Sequence, residues 1–403
     1  MSHTWNAGTR RRSAFRALPA RRYKRPPEAH ANVGTDPSVE PRMSGRLLLA
    51  LGLAMLPAAG PSHAADVGRL PVTAFATLPP DARHPESLDV DPASGEVYVG
   101  TFDARSPETD RDNQLLRFGA DGRLLVQRRF GATPLTGVAY RDGHVYVLNF
   151  GASKLQRLPA RFDAGSAVED VATFTALSPT APPARRVDNP DGSQDTITYG
   201  SEGFPAINGL VFDRAGTLYV SDSFQGAIYR IAKATTCRPC TIDVFVRDPL
   251  LATTGALPFG ANGLAFNADE SMLYINNAGD GRVLRKRMPD GAIDVLADGT
   301  YGADGLLFHR GLLWVAANQI DTIVALDEQG RVRHRAGDFL GVDGDGTPRG
   351  LLFPAATAVQ GRRMIVANLA LPLTAARGDE WEEDVTRWNL VQFDLPDPPP
   401  PAH

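Results

Sequence analysis

A chain of 403 residues that is 43% apolar and 22% charged has the material for a folded core, and its 39 Gly and 32 Pro point to many turns and few long helices. Two cysteines exclude a disulfide-built scaffold and a four-thiolate zinc site. The net charge of −4 divides unevenly: the first 64 residues carry +7 and residues 65–403 carry −11, an acidic body that speaks against a nucleic-acid partner.

The chain opens on a basic stretch, 1–42, followed by Met43 and Arg46. Residues 47–56 read LLLALGLAML, and PAAGPSHA after them ends in the small-x-small pattern Ser62-His63-Ala64. A charged residue, an apolar run and a small-residue cleavage site in that order describe a secretory signal, and ten apolar residues are too few to span a bilayer. We therefore expect residues 1–64 to be a basic extension plus a signal peptide (signal core 43–64). Cleavage after Ala64 would leave a mature chain, periplasmic or secreted, with no membrane attachment. Whether 1–42 is a long n-region or precedes the true start stays open.

Six repeats follow. Each opens on a short apolar strand, turns, and runs into a second apolar strand that ends in Asn, Asp or a small residue. The openings read ESLDVDPASGEVYVGTF from Glu86, TGVAYRDGHVYVLNF from Thr136 and NGLVFDRAGTLYVSDS from Asn208. They continue with NGLAFNADESMLYINNA from Asn262, DGLLFHRGLLWVAAN from Asp304 and RGLLFPAATAVQGRRMIVAN from Arg349. Spacings of 50, 72, 54, 42 and 45 residues, with period-two alternation and four short strands per unit, predict an all-β fold, a six-bladed β-propeller over 65–396. The sixth unit lacks a fourth strand, and GRLPVTAFATLP (68–79) has no unit of its own. An N-terminal strand completing the last blade closes the ring and removes the exposed edges. The tail, 397–403, is Pro-rich and expected to lack a packed structure.

Four long segments, 102–113, 175–207, 247–261 and 369–384, fall on the face where the inner strands begin. Their aromatic residues Phe102, Phe204, Phe259 and Trp381, with Trp388 just beyond, are candidates for substrate contact. Cys237 and Cys240 lie between the third and fourth strands of the third unit, where an exported protein would form a small-ring disulfide. GVDGDGTPRG (341–350) has calcium-loop composition, but the spacing fails after Asp345.

The chemistry sits at the blade starts. The first residues of four units are Glu86, Asn208, Asn262 and Asp304, which converge on the central channel of a propeller. Two carboxylates and two amide oxygens form a hard donor set suited to one Ca²⁺, with no soft ligand for zinc or copper. Asp304 is the candidate to position or activate a water, as base or as nucleophile, and Asn208 a ligand that also touches substrate.

These phrases resemble the senescence-marker-protein/gluconolactonase family, with its luciferin-regenerating-enzyme-like members, over roughly 80–395. The family's first-blade Glu matches Glu86 in HPESLDVD, and its third-blade Asn matches Asn208 in INGLVFD. Its next Asn matches Asn262 in ANGLAFN, and its Asp matches Asp304 in ADGLLF. The resemblance implies a calcium-dependent six-bladed propeller that hydrolyses lactones or related esters, with a small-molecule substrate. Two other readings stay open. One is a non-catalytic propeller that binds a ligand or a protein. The other is a metal-free enzyme like strictosidine synthase, although that enzyme's sixth-blade Glu finds no match at TPRGLLFP.

Overall fold

Alternating Val, Ile, Leu and Tyr with few helix formers between turn residues leaves the strand as the conformation that buries one face per residue pair. In the computed structural model, which describes residues 67–199, 203–255, 257–374 and 377–397, the chain forms six four-stranded antiparallel sheets. Residues 1–66, which include the expected signal peptide, and residues 398–403 lie outside the described residues. The longest described helices are single 3-10 turns, and none is long and apolar enough to cross a membrane.

From the inner strand outward, blade 1 is 85–90, 97–101, 113–118 and 124–131, and blade 2 is 135–141, 144–149, 154–159 and 169–173. Blade 3 is 207–212, 218–222, 227–231 and 243–247, and blade 4 is 261–266, 272–277, 282–287 and 293–298. Blade 5 is 303–309, 312–317, 322–327 and 332–336. Blade 6 is 354–360, 363–368, 389–394 and, as its outermost strand, Thr73–Thr77 from the N-terminal side. The expected closure is therefore the observed one. Arg69–Leu70 adds a further short strand, parallel to the outer edge of blade 5, which the sequence pattern did not announce. The inner strands touch in sequence order, the sixth touching the first.

Burial follows the blade geometry. Second strands such as Val97–Thr101 and Leu312–Ala317 are buried at every position, because blades cover both their faces, whereas the outer strand Glu169–Thr173 is largely exposed. The core is a set of layers between neighbouring blades. Tyr146 and Leu148 of blade 2 pack on Val220 and Tyr229 of blade 3. Trp314 of blade 5 packs on Met364, Val366 and Phe393 of blade 6. Each fully buried Leu, Val or Phe of these layers stabilises the ring by about 1.5–3 kcal/mol.

One expectation needs correction. RGLLFP does not begin an inner strand. Arg349 is exposed in an extra hairpin, 339–342 with 348–350, where its guanidinium donates to Leu340 O (2.7 Å) and pairs with Asp343 (3.2 Å). The sixth inner strand begins at Pro354, whose missing N–H suits the first position of a strand. The same hairpin engages the carboxylates of GVDGDGTPRG: Asp343 faces Arg349, and Asp345 accepts from Arg387 (2.6 Å). The third-unit cysteines do form the disulfide Cys237–Cys240. A second unforeseen hairpin, 185–188 with 194–197, lies within the long 175–207 segment.

Candidate metal centre

The second residue of each inner strand is, in order, Glu86, Thr136, Asn208, Asn262, Asp304 and Ala355. In all six blades the pairing with the second strand slips at this residue, between Pro85 and Ser87, Leu135 and Gly137, Ile207 and Leu210, Ala261 and Leu264, Ala303 and Leu306, and Pro354 and Ala356. A bulge leaves one residue unpaired and re-aims its side chain. The result is a ring of side chains around one cavity of about 50 Å³, lined by the first five of these residues and by Asn318. All six are buried.

Glycine follows the ring residue in blades 2 to 5, and the reason is packing. A Cβ on Gly137 would lie 2.8 Å from Asn208 O, and one on Gly263 2.5 Å from Asp304 O. Gly209 and Gly305 stand equally close against Asn262 O and Ala355 O. The Asn-Gly and Asp-Gly pairs that mark turns in other settings here let neighbouring inner strands close on the channel.

The polar contacts sort the donors. Asn208 Nδ2 donates to Ser223 Oγ (3.3 Å), and Ser223 in turn donates to Ala261 O (2.6 Å). Asn318 Nδ2 donates to Asp304 Oδ2 (3.1 Å), and Asn262 also donates to Asp304. With their amide nitrogens engaged, Asn208 and Asn262 keep their carbonyl oxygens as acceptors. Glu86 Oε2 is buried without a partner. Burial, and then the charge of Asp304, push the Glu86 carboxyl well up. Burial also pushes Asp304 up, against the opposing bonds from Asn318 and Asn262. Two carboxyls that resist ionisation in one cavity, one of them with an orphaned oxygen, are the electrostatic complement of a cation. The donor set is entirely oxygen, so the residues fit Ca²⁺. Among the described residues no three His, Cys, Asp or Glu cluster, so beyond the two carboxylates the donors here would be amide and hydroxyl oxygens.

The four residues expected from sequence, Glu86, Asn208, Asn262 and Asp304, are thus brought together in one cavity. Thr136 joins them, its Oγ1 donating to Ile207 O (2.7 Å). Asn318 is the functional candidate that the sequence reading missed, and a signal for it existed. It directly follows the second strand of blade 5, and Phe102, Ala278 and Leu369 hold the same place in blades 1, 4 and 6 and line the same cavity. A second ring therefore follows the repeat phase as the first does.

The histidines stand apart. His84 is buried with a ring nitrogen on Leu369 O (3.0 Å) and its edge against Trp388 (4.6 Å), and His144 and His309 flank the far turns of their hairpins. Of the aromatic candidates, Phe102 and Phe259 line the cavity, and Phe204 joins them through intervening rings. Trp381 packs on Phe339 instead, and Trp388 is buried against His84.

A six-bladed propeller with a ring of oxygen donors on its axis is the class that fold and site define. No protein-family model matches the sequence, and no curated protein does. Among solved structures, the chain is similar to the calcium-binding protein regucalcin of Agrobacterium tumefaciens, at 15% identity over 81% of this chain and 95% of that one, with a TM-score of 0.53. It is also similar to luciferin-regenerating enzyme, at 14% identity over 78% of this chain and 92% of that one, with a TM-score of 0.51. At these identities the likeness is one of fold.

Proposed function

We propose that the chain is an exported, calcium-dependent hydrolase of lactones or related esters, with Glu86, Asn208, Asn262 and Asp304 as metal ligands and Asp304 and Asn208 in catalytic roles. One observation carries the reading. Four hard donors at equivalent places in four blades line a single buried cavity, and a carboxylate oxygen there has no protein partner. The fold shared with regucalcin, described as calcium-binding, and with luciferin-regenerating enzyme supports it.

Bound Ca²⁺ supplies Lewis-acid polarisation of the substrate carbonyl. The protein supplies the rest. Asp304, oriented by Asn318 and Asn262, positions a water and takes its proton. The water oxygen bonds to the acyl carbon, the acyl–oxygen bond of the ring breaks, and the proton ends on the leaving oxygen, giving a hydroxy acid. Asn208, fixed through Ser223, orients the carbonyl, and the apolar wall beyond the donors excludes competing water. A second reading, a non-catalytic binding propeller with a structural ion, draws on the cavity's size: about 50 Å³ holds an ion and a water.

Calorimetric titration of the chelator-stripped protein with Ca²⁺ tests the site. One tight equivalent is expected, lost in Asp304→Asn, with the native state stabilised by about 2.7 kcal/mol at a hundredfold excess over Kd. Lactone turnover that stops on adding chelator selects the hydrolase over the binding propeller. Absence of Ca²⁺ binding sinks both the site and the mechanism. Export is checked separately by the intact mass of the released protein, which is expected to begin at Ala65.

A further inference from the structure

Beyond the donor ring, the site has little to offer a polar molecule. Eight of the 14 residues lining the cavity are apolar, among them Phe102, Leu257, Phe259, Phe353 and Leu371. The six polar ones are the five ring residues and Asn318. Among the described residues, no Arg, Lys, Tyr, Ser or Gln lines the cavity.

A run of aromatic rings borders the cavity on one side and reaches the surface. Phe102 packs edge-on to Phe150 (5.6 Å), Phe150 to Phe204 (5.8 Å), Phe204 to Phe224 (5.4 Å) and Phe224 against Phe259 (5.5 Å). The two ends of this run, Phe102 and Phe259, line the cavity, and its middle member Phe204 is exposed at 38%. The five rings come from five separate segments of blades 1 to 4, so their contact is a product of the fold and not of local sequence. Leu373 also reaches from the cavity to solvent.

We propose that the substrate is the lactone or ester of a hydroxy acid with an extended apolar chain. The chain lies among Phe102, Phe150, Phe204, Phe224 and Phe259 while the carbonyl faces the donor ring. This rests on the hydrolase reading and narrows it. A cavity of about 50 Å³ does not hold an acyl chain, so the chain enters by displacing Phe204, the most exposed of the five rings. Aromatic faces give a methylene chain what it loses on leaving water. A polyhydroxylated lactone would leave hydroxyls buried without partners on the same wall, and a site discriminates strongly against unpaired polar groups.

The test separates ligand class from turnover by using lactams, which resist hydrolysis. Five-membered lactams with alkyl chains of increasing length are titrated into the full chain in calcium-containing buffer, beside a polyhydroxylated sugar lactam, and the matching lactones are assayed for hydrolysis. Affinity is expected to rise by up to about fourfold per methylene, with no binding of the sugar lactam. Phe204→Ser is expected to flatten that slope. Val332→Ser, at an exposed apolar residue on the outer strand of blade 5, is expected to leave it intact. A flat series in the unmodified protein, a sugar lactam that binds as tightly as the longest alkyl lactam, or an unchanged slope in Phe204→Ser overturns the proposal. A rising slope with no hydrolysis of any lactone supports the apolar ligand and removes the hydrolase reading. Hydrolysis of sugar lactones alongside a flat series does the reverse.

Discussion

Glu86 and Asp304 set the behaviour of the metal-free protein. Both carboxyls are pushed above their ordinary range, Glu86 by burial and by the charge of Asp304, Asp304 by burial. A carboxyl with a raised folded-state pKa binds more protons in the native state than in the unfolded chain, where it titrates near 4. The stability it contributes is present below the unfolded value and is lost as pH rises through the folded one. The chelator-stripped protein is therefore expected to lose stability as pH climbs from about 4 toward neutrality, and saturating Ca²⁺ to restore it. Denaturant melts across that range check this. Glu86→Gln, which removes one of the two charges, is expected to flatten the profile and to weaken Ca²⁺ binding. A stripped protein whose stability is constant or rises over the interval contradicts the assignment. Asp222 is a contrasting buried carboxylate. It accepts from Ala206, Phe224 and Gln225 backbone amides, from Gln225 Nε2 and from Tyr229 OH, so its oxygens are satisfied within blade 3 and await no ion.

At the scale of the strand, the bulge-plus-glycine unit explains why the site was partly legible in the sequence. Asn208-Gly209, Asn262-Gly263 and Asp304-Gly305 recur at one repeat phase because each inner strand must close on the carbonyl of the next, and that requirement leaves a spacing signal. The ring position of blade 6 escaped the reading because RGLLFP imitates the phrase while its Arg349-Gly350 closes a hairpin, and the true ring position holds Ala355. Asn318 carries a repeat-phase signal that was overlooked, and Phe102, Phe204 and Phe259 were singled out from their long segments, but the contacts that join these rings through Phe150 and Phe224 were not legible. The ring contacts join segments far apart in sequence, and no single repeat records them. Gly263→Ala tests the packing argument. Its Cβ would press on Asp304 O and Leu306 N, so we expect a loss of about 1–3 kcal/mol of stability together with weaker Ca²⁺ binding. Gly344→Ala, in a hairpin with open space around the new carbon, is the control and is expected to be neutral on both counts. An unaffected Gly263→Ala would mean that the inner strands tolerate separation and that glycine there has another cause.

For the whole molecule, ring closure is the step on which the site depends. It was legible as arithmetic, since six openings left one blade a strand short and one strand without a blade. The extra pairing of Arg69–Leu70 with blade 5 was not, because two residues carry no period. Thr73–Thr77 covers the edge of 389–394, and Ala76 and Leu78 pack into the layer between blades 6 and 1 with Val97, Leu116, Ile365 and Leu390. Leu78 N also donates to Trp388 O (2.9 Å). Without residues 67–79 that layer loses Leu78, at about 1.5–3 kcal/mol, with Ala76 and the half-buried Phe75, and the 389–394 edge is left open to other chains. The inner strand that carries Glu86 borders the inner strand of blade 6, so loosening this seam also widens the donor ring. A protein comprising 80–403 is therefore expected to melt several degrees below 65–403, to self-associate on size-exclusion chromatography and to bind Ca²⁺ more weakly. A synthetic 67–79 peptide added in trans is expected to recover part of each loss by occupying the vacated edge. If 80–403 elutes in the same oligomeric state as 65–403 and binds Ca²⁺ as it does, the strand is an accessory, and the donor ring is held by the inner strands alone.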